Sequence, residues 1–265
     1  MAFDMRHSNA DHFQLEKTNL KIFADGADLD AMKALAQKKW ISGFTTNPAL
    51  MLKEKVSSYS EFWEKVKRYL QGKSISLEVF ADEPKAMIDQ ALILKSWGEN
   101  IVVKIPITNT EGVFSGPVIK ELQAMGVPLN ITAIFTTKQV EELLKYLDPD
   151  QPIIISVFAG RIADTGRDPL VIMGAINHSL IQDAPKAQLL WASCREVYNI
   201  LQAEQCGCQI ITVTADILKK LNLLGMDLTE YSSKTVKEFH DAGLSAGMTL
   251  LPQEALVSKM KTGRP

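Results

Sequence analysis

Lys104 is the residue of this chain most open to covalent chemistry. It stands in Glu99-Asn100-Ile101-Val102-Val103-Lys104-Ile105-Pro106, near the end of a short apolar, β-branched run. Three apolar residues precede it and Ile-Pro follows, the pattern of a strand buried on both faces. Desolvation disfavours an ammonium ion, so an amine at the end of such a strand gives up its proton more readily than one on the surface. A neutral amine beside a carbonyl substrate can form a Schiff base. The competing reading is a lysine snorkelling from a strand end into water. Taken alone, that outcome is the commoner one.

Other reactive side chains stand at comparable places. Asp25 follows Lys21-Ile22-Phe23-Ala24. A carboxylate there can act as general acid and base, or cap the helix that follows; Asp28 can fill that cap instead. The segment Gly43-Phe44-Thr45-Thr46-Asn47-Pro48 ends a strand in a turn. Asn47, before a proline, is kept out of the helical region. Its amide both donates and accepts, which suits a substrate hydroxyl as well as plain turn chemistry. Glu78, in Ser76-Leu77-Glu78-Val79-Phe80, lies within an apolar strand. A carboxylate there must be paired, protonated or turned out to solvent. Thr132 supplies a hydroxyl at the end of the next strand but one, and with Glu78 it could hold a water that relays protons to a carbinolamine. Arg161 follows a sixth strand, and Ser193 and Arg195 follow a seventh. Two guanidinium groups and a hydroxyl make a phosphate site; two surface salt bridges are the plain alternative.

The elements that must position these groups alternate along the chain. Strands are expected at Leu20–Ala24, Ile41–Thr45, Ile75–Val79, Ile101–Ile105, Pro128–Thr132, Ile153–Ser156, Leu189–Ala192 and Ile210–Val213. Helical patterns separate them, at Asp28–Lys38, Tyr59–Leu70, Glu83–Trp97 and Gly116–Met125, then Thr137–Leu147, Pro169–Ile181, Glu196–Ala203 and Asp216–Leu223. Strand starts are about 27 residues apart, which suits one βα unit each. The fold class is therefore α/β, and eight such units predict a (β/α)8 TIM barrel, with a doubly wound open sheet as the alternative. The barrel is preferred because polar residues cluster at the C-terminal ends of the strands: Asp25, Asn47, Glu78, Lys104, Thr132, Ser156, Ser193 and Thr212. A barrel points them into one mouth, whereas an open sheet would scatter them along a crest.

The bulk composition narrows the function. The chain has 265 residues, 46% hydrophobic and 23% charged, with a net charge of -2. That near-neutral balance predicts neither nucleic acid nor membrane as a partner, so any affinity for anions must come from placed arginines. No apolar run approaches the roughly 20 residues that span a bilayer. One domain is expected over residues 1–265, with a polar N-terminal leader at 1–19 and a helical C-terminal extension at 228–265. In the extension Thr235–Ala242 is amphipathic, and Pro252–Lys261 reads as a last short helix. Cys194, Cys206 and Cys208 form no zinc or redox motif, and their odd number suggests a reducing, cytoplasmic setting. The four histidines, His7, His12, His178 and His240, are scattered. No metal site and no histidine base is expected.

Together the segments resemble the transaldolase family of class I aldolases. The matching residues are Ala24-Asp25, Thr45-Thr46-Asn47-Pro48, Val103-Lys104-Ile105-Pro106 and Asn130-x-Thr132, then Ser156-x-Phe158-x-Gly160-Arg161-Ile162-x-Asp164 and Ala192-Ser193-x-Arg195. They occur in family order and cover the predicted barrel from about Ile22 to Val213. The resemblance implies that Lys104 forms the Schiff base with a ketose C2 carbonyl and that Asp25 takes the C4 hydroxyl proton. Glu78 and Thr132 would hold the catalytic water. Asn47 and Ser156 would orient the dihydroxyacetone unit, with Asn130 and Phe158 also in the substrate site. Arg161, Ser193 and Arg195 would hold the phosphate. Because the imine is the electron sink, the resemblance implies no metal and no organic cofactor. The implied partners are sugar phosphates. In length the chain lies nearer the small subfamily, which also contains fructose-6-phosphate aldolases and forms rings through its terminal helices. A homo-oligomer is thus one expectation. In the aldolase branch the positions of Glu78 and Phe158 look like a glutamine and a tyrosine. A transferase of three-carbon ketol units is the leading reading, ahead of an aldolase using free dihydroxyacetone and a barrel that only binds a sugar phosphate.

Overall fold

The computed structural model describes residues 19–250. β1 (Lys21–Asp25) leads to α1 (Leu29–Ala36), and β2 (Ile41–Thr45) leads to α2 (Pro48–Lys53) and α3 (Tyr59–Val66). β3 (Ser74–Glu78), α4 (Pro84–Ser96), β4 (Ile101–Pro106) and α5 (Gly116–Ala124) follow. Next come β5 (Leu129–Ile134), α6 (Thr137–Leu144), β6 (Ile153–Val157), α7 (Ala159–Asp164) and α8 (Pro169–Asp183). β7 (Ala187–Trp191), α9 (Tyr198–Gln205), β8 (Ile210–Thr214), α10 (Ala215–Leu218) and α11 (Leu228–Ser245) complete the order. Neighbouring strands pair in parallel, and β8 pairs with β1. The sheet is closed, and the fold is a (β/α)8 TIM barrel with a helical C-terminal region. Each expected strand lies within two residues of an observed one.

Helix starts follow from local chemistry. Asp28 caps α1 by accepting from the Ala31 N–H at 2.9 Å, which leaves Asp25 free of that task. Asn47 caps α2 by accepting from the Leu50 N–H at 2.9 Å, with Pro48 in the first turn, the favoured order of cap and proline. Thr136 and Gln139 close a capping box at the start of α6. Two helices were not expected, α2 and α7, each six residues long. So few residues cannot establish a period of 3.6. β5 runs two residues past its expected end at Thr132, through a bulge at Ala133, whose φ is 60°.

The barrel interior has an apolar floor and a polar mouth. Phe23, Leu190, Ala192 and Ile210 form the floor, with Ile154 and Phe158 packed against them. Gly43 makes room for this arrangement: a Cβ there would stand 2.8 Å from the Phe23 ring. The alternate residues of the strands, such as Ile75, Leu77, Val103, Ile105, Ile131 and Ile155, are fully buried. They pack beneath the helices, as the period of two requires.

Contacts divide the chain into two compact units, one ending at Leu221 and one beginning at Asn222. In the second, α11 is capped by Asp227, which accepts from the Glu230 N–H at 2.9 Å. Thr235–Ala242 lies within α11. The leader to Thr18 and the short helix expected at Pro252–Lys261 lie outside the described residues. No helix among the described residues is long and apolar enough to cross a membrane.

Candidate active site

The centre of the mouth is Lys104, 5% exposed. Strand register sets it level with Glu78 on β3 and Asn130 on β5. Its Nζ donates to Glu78 Oε2 at 2.7 Å and to the Thr46 carbonyl at 2.7 Å. The snorkelling alternative therefore does not hold, and neither does an outward-facing Glu78. Removing a charge-paired lysine from water is rarely a route to stability, because desolvation offsets most of the attraction. An amine with a carboxylate in hydrogen-bond contact can instead pass a proton.

Next to this pair runs a buried polar chain. The Ser156 hydroxyl donates to Asn130 Oδ1 at 2.6 Å, and Asn130 Nδ2 donates to Ser76 Oγ at 3.2 Å. β3 and β5 are not neighbours, so the second bond crosses the interior over β4. It fixes which way the Asn130 amide points. The Thr132 hydroxyl is buried and has no hydrogen-bond partner among the described residues. Such an orphan inside a polar cavity is a ready contact for a water or a substrate.

Asp25 lies across the mouth. It accepts from the Thr45 hydroxyl at 2.7 Å. Since Thr45 has a single proton to give, its second contact, with Thr212 Oγ1, must be donated by Thr212. Burial raises the Asp25 carboxyl above the usual range; the Thr45 bond and the Lys104 charge oppose this, and Glu78 adds to it. A carboxylate made more basic in this way is suited to take up and return a proton. Cys194, close enough to feel the Asp25 charge, is pushed up to about 12, chiefly by burial. It is an inert thiol at neutral pH.

The two arginines stand at the rim, both exposed. The Arg161 guanidinium lies 5.2 Å from the centre of the Phe158 ring, which in turn tilts against Phe135 at 5.6 Å. Arg195 grips Asp164 with two N–H groups, one at 3.1 Å from Nε to Oδ1. The hydrogen bond from Arg195 holds the Asp164 carboxyl below its usual range, and Arg161 adds a smaller attraction. Both arginines thus face one carboxylate. The loop carrying Ser193 and Arg195 is locked to α7. The Gly160 N–H donates to the Ala192 carbonyl at 3.3 Å, and a Cβ on Gly160 would stand 1.6 Å from the Ser193 carbonyl oxygen. Ser193 itself is left-handed, with φ 60°. Asn47 is half-buried, and its Oδ1 serves the cap of α2 while its Nδ2 makes no bond to a described residue.

Sequence reasoning missed Ser76 and the Thr46 carbonyl. Ser76 was within reach, since it alternates with Glu78 on one face of β3. A carbonyl leaves no signal in residue types.

The chain compares with known proteins as follows. The sequence model of the family described as Transaldolase/Fructose-6-phosphate aldolase matches residues 22–253. The chain belongs to the transaldolase/fructose-6-phosphate aldolase family. Among its relatives is a probable transaldolase of Nitrosopumilus maritimus, 30% identical over 208 residues, covering 76% of this chain and 87% of the relative. A probable transaldolase of Dehalococcoides mccartyi is 32% identical over 202 residues, covering 76% and 90%. Among solved structures, an HpcH/Hpal aldolase/citrate lyase family protein from Burkholderia cenocepacia superposes with a TM-score of 0.50. It is 13% identical and covers 86% of this chain and 97% of its own, a likeness of fold alone. In this transaldolase-family chain the paired lysine and carboxylate stand at the C-terminal face, where barrel enzymes carry their chemistry.

Proposed function

We propose that this protein is a transaldolase that moves a dihydroxyacetone unit between sugar phosphates through a Schiff base on Lys104. The donor is a ketose phosphate, sedoheptulose 7-phosphate or fructose 6-phosphate. The acceptor is an aldose phosphate, glyceraldehyde 3-phosphate or erythrose 4-phosphate. The observation that carries this reading is the buried Lys104 amine, 2.7 Å from Glu78, in the mouth of a family barrel.

Glu78 accepts a proton from Lys104, and the neutral amine attacks C2 of the ketose. The resulting carbinolamine loses water, relayed between Glu78 and the unpartnered Thr132 hydroxyl. Asp25 then takes the C4 hydroxyl proton. The C3–C4 bond breaks, its electrons pass into the iminium, and the aldose departs. The enamine left on Lys104 attacks the aldehyde carbon of the acceptor while Asp25 returns its proton. Water hydrolyses the new imine and frees Lys104. Asn47, Asn130 and Ser156 hold the three-carbon unit, and Arg161, Ser193 and Arg195 hold the phosphate. Phe158 carries no hydroxyl with which to protonate the enamine, so the intermediate waits for an acceptor.

Borohydride trapping with fructose 6-phosphate, followed by peptide mapping, tests the covalent step; the adduct is expected at Lys104. Product analysis with and without erythrose 4-phosphate tests the transfer, and little free dihydroxyacetone should form. Fast release of dihydroxyacetone without an acceptor would instead identify a fructose-6-phosphate aldolase. Binding without an adduct would leave a barrel that only holds sugar phosphates.

A further inference from the structure

Tyr59 opens α3, whose cap Ser58 accepts from the Glu61 N–H at 3.2 Å. Its ring meets Phe80 edge to face, with centroids 5.7 Å apart and planes at 62°. Phe80 stands two residues beyond Glu78, and its N–H donates to Gln90 Oε1 on α4 at 2.9 Å. The Tyr59 ring is thus fixed beside the end of β3. Its phenol oxygen is buried and has no hydrogen-bond partner among the described residues. Burial, reinforced by the negative charge of Glu78, pushes the phenol up to about 12. Tyr59 is therefore a neutral O–H donor at working pH, without an acceptor, inside the field of an anion.

Glu78 is the matching half of this arrangement. Its Oε2 serves Lys104, while its Oε1 makes no hydrogen bond to a described residue. The charged groups around it are Lys104 on β4 and Asp25 on β1; the Tyr59 phenol comes from the helical layer, near enough to feel its charge. A phenylalanine at residue 59 would fill the same space against Phe80 and bury no unsatisfied hydroxyl, which is the less costly arrangement.

We propose that Tyr59 is a positioning residue for Glu78: its hydroxyl donates to the Glu78 carboxylate, directly or through one water, while Lys104 is held as an imine. The inference rests on the Schiff-base reading above. As an ammonium, Lys104 offers Glu78 several N–H donors; double-bonded to C2, its nitrogen keeps one at most. Glu78 needs another donor where it must hold its orientation toward the water that leaves the carbinolamine and later re-adds to the imine. Tyr59 supplies that donor.

The test compares Tyr59→Phe, Glu78→Gln and the double variant, by transfer kinetics and by the rate of borohydride trapping at Lys104. Tyr59→Phe should lower kcat about tenfold, the scale of one hydrogen bond to a charged group, and slow trapping in proportion. KM for fructose 6-phosphate should stay within about twofold, and Tm should be unchanged or higher. In the Glu78→Gln background the same exchange should alter the rate less than about twofold, because Tyr59 acts through Glu78. Unaltered kinetics in Tyr59→Phe, equal fold-losses in both backgrounds, or a Tm that falls with the activity would each overturn the assignment. Absence of any adduct in the unmodified protein would overturn the Schiff-base reading and this inference together. An adduct at Lys104 with an unaffected Tyr59→Phe would remove the role of Tyr59 alone.

Discussion

The Asp25 carboxyl is held where burial disfavours its charge, so its reactivity and the stability of the fold pull in opposite directions. Its folded pKa is raised above the ordinary 3.8. Through the window from 3.8 up to the folded value, the folded state binds more protons than the unfolded chain. Stability therefore falls as pH rises through that window, and at neutral pH the ionised side chain is a burden. Asp25→Asn should raise Tm at pH 7 and should not raise it near pH 3, by calorimetry, while transfer falls by about 10²-fold or more. The rim arginines give a second test at this scale. Arg161→Ala or Arg195→Ala should weaken phosphorylated substrates by about 1.5–3 kcal/mol. Unphosphorylated analogues should lose much less, and equal losses in KM for both kinds would make these arginines structural. The residue types at Asp25, Lys104, Glu78 and Arg161 were legible in the sequence. The hydrogen bonds that define their states were not, because donors such as Thr45 and acceptors such as the Thr46 carbonyl come from other strands.

Among the elements, the short helices carry more of the candidate site than their length suggests. α2 starts on Asn47 and α7 starts beside Phe158 and carries Arg161 and Asp164, yet neither shows in the hydrophobic pattern. Pro48 after Asn47 was the one local signal for α2. The junction of α7 with the end of β7 depends on Gly160, where an added Cβ would meet the Ser193 carbonyl at 1.6 Å and the Arg195 side chain only at 3.1 Å. Gly160→Ala must push the Ser193 carbonyl away and carry Arg195 with it. The expected cost is roughly 3 kcal/mol, seen as a lower denaturation midpoint. KM for phosphorylated donors should rise in whatever fraction remains folded. The bulge at Ala133 shows the same division: Thr132 could be assigned to a strand from its neighbours, but the kink just beyond it belongs to the pairing of β5 with β6.

At the scale of the whole molecule, closure of the sheet makes the barrel a self-contained unit ending at Leu221. A chain stopped after Leu223 should keep cooperative thermal unfolding and should still form the borohydride adduct at Lys104. Loss of cooperativity, followed by circular dichroism, would show that the barrel does not fold without the residues after Leu223. The sequence by itself determined the strands, most of the helices, their alternation and the residue types at the strand ends. It could do so because alternation, capping and proline effects act over a few neighbouring residues. Only the tertiary structure decided which groups meet. Lys104 with the Thr46 carbonyl, Asn130 with Ser76, and Thr45 with Thr212 join residues 58, 54 and 167 positions apart. Barrel closure sets β8 against β1 and so within reach of β2, and the curvature of the sheet lets β5 reach β3 across β4; those distances are set by strand register and tilt around the whole ring, for which no local pattern codes.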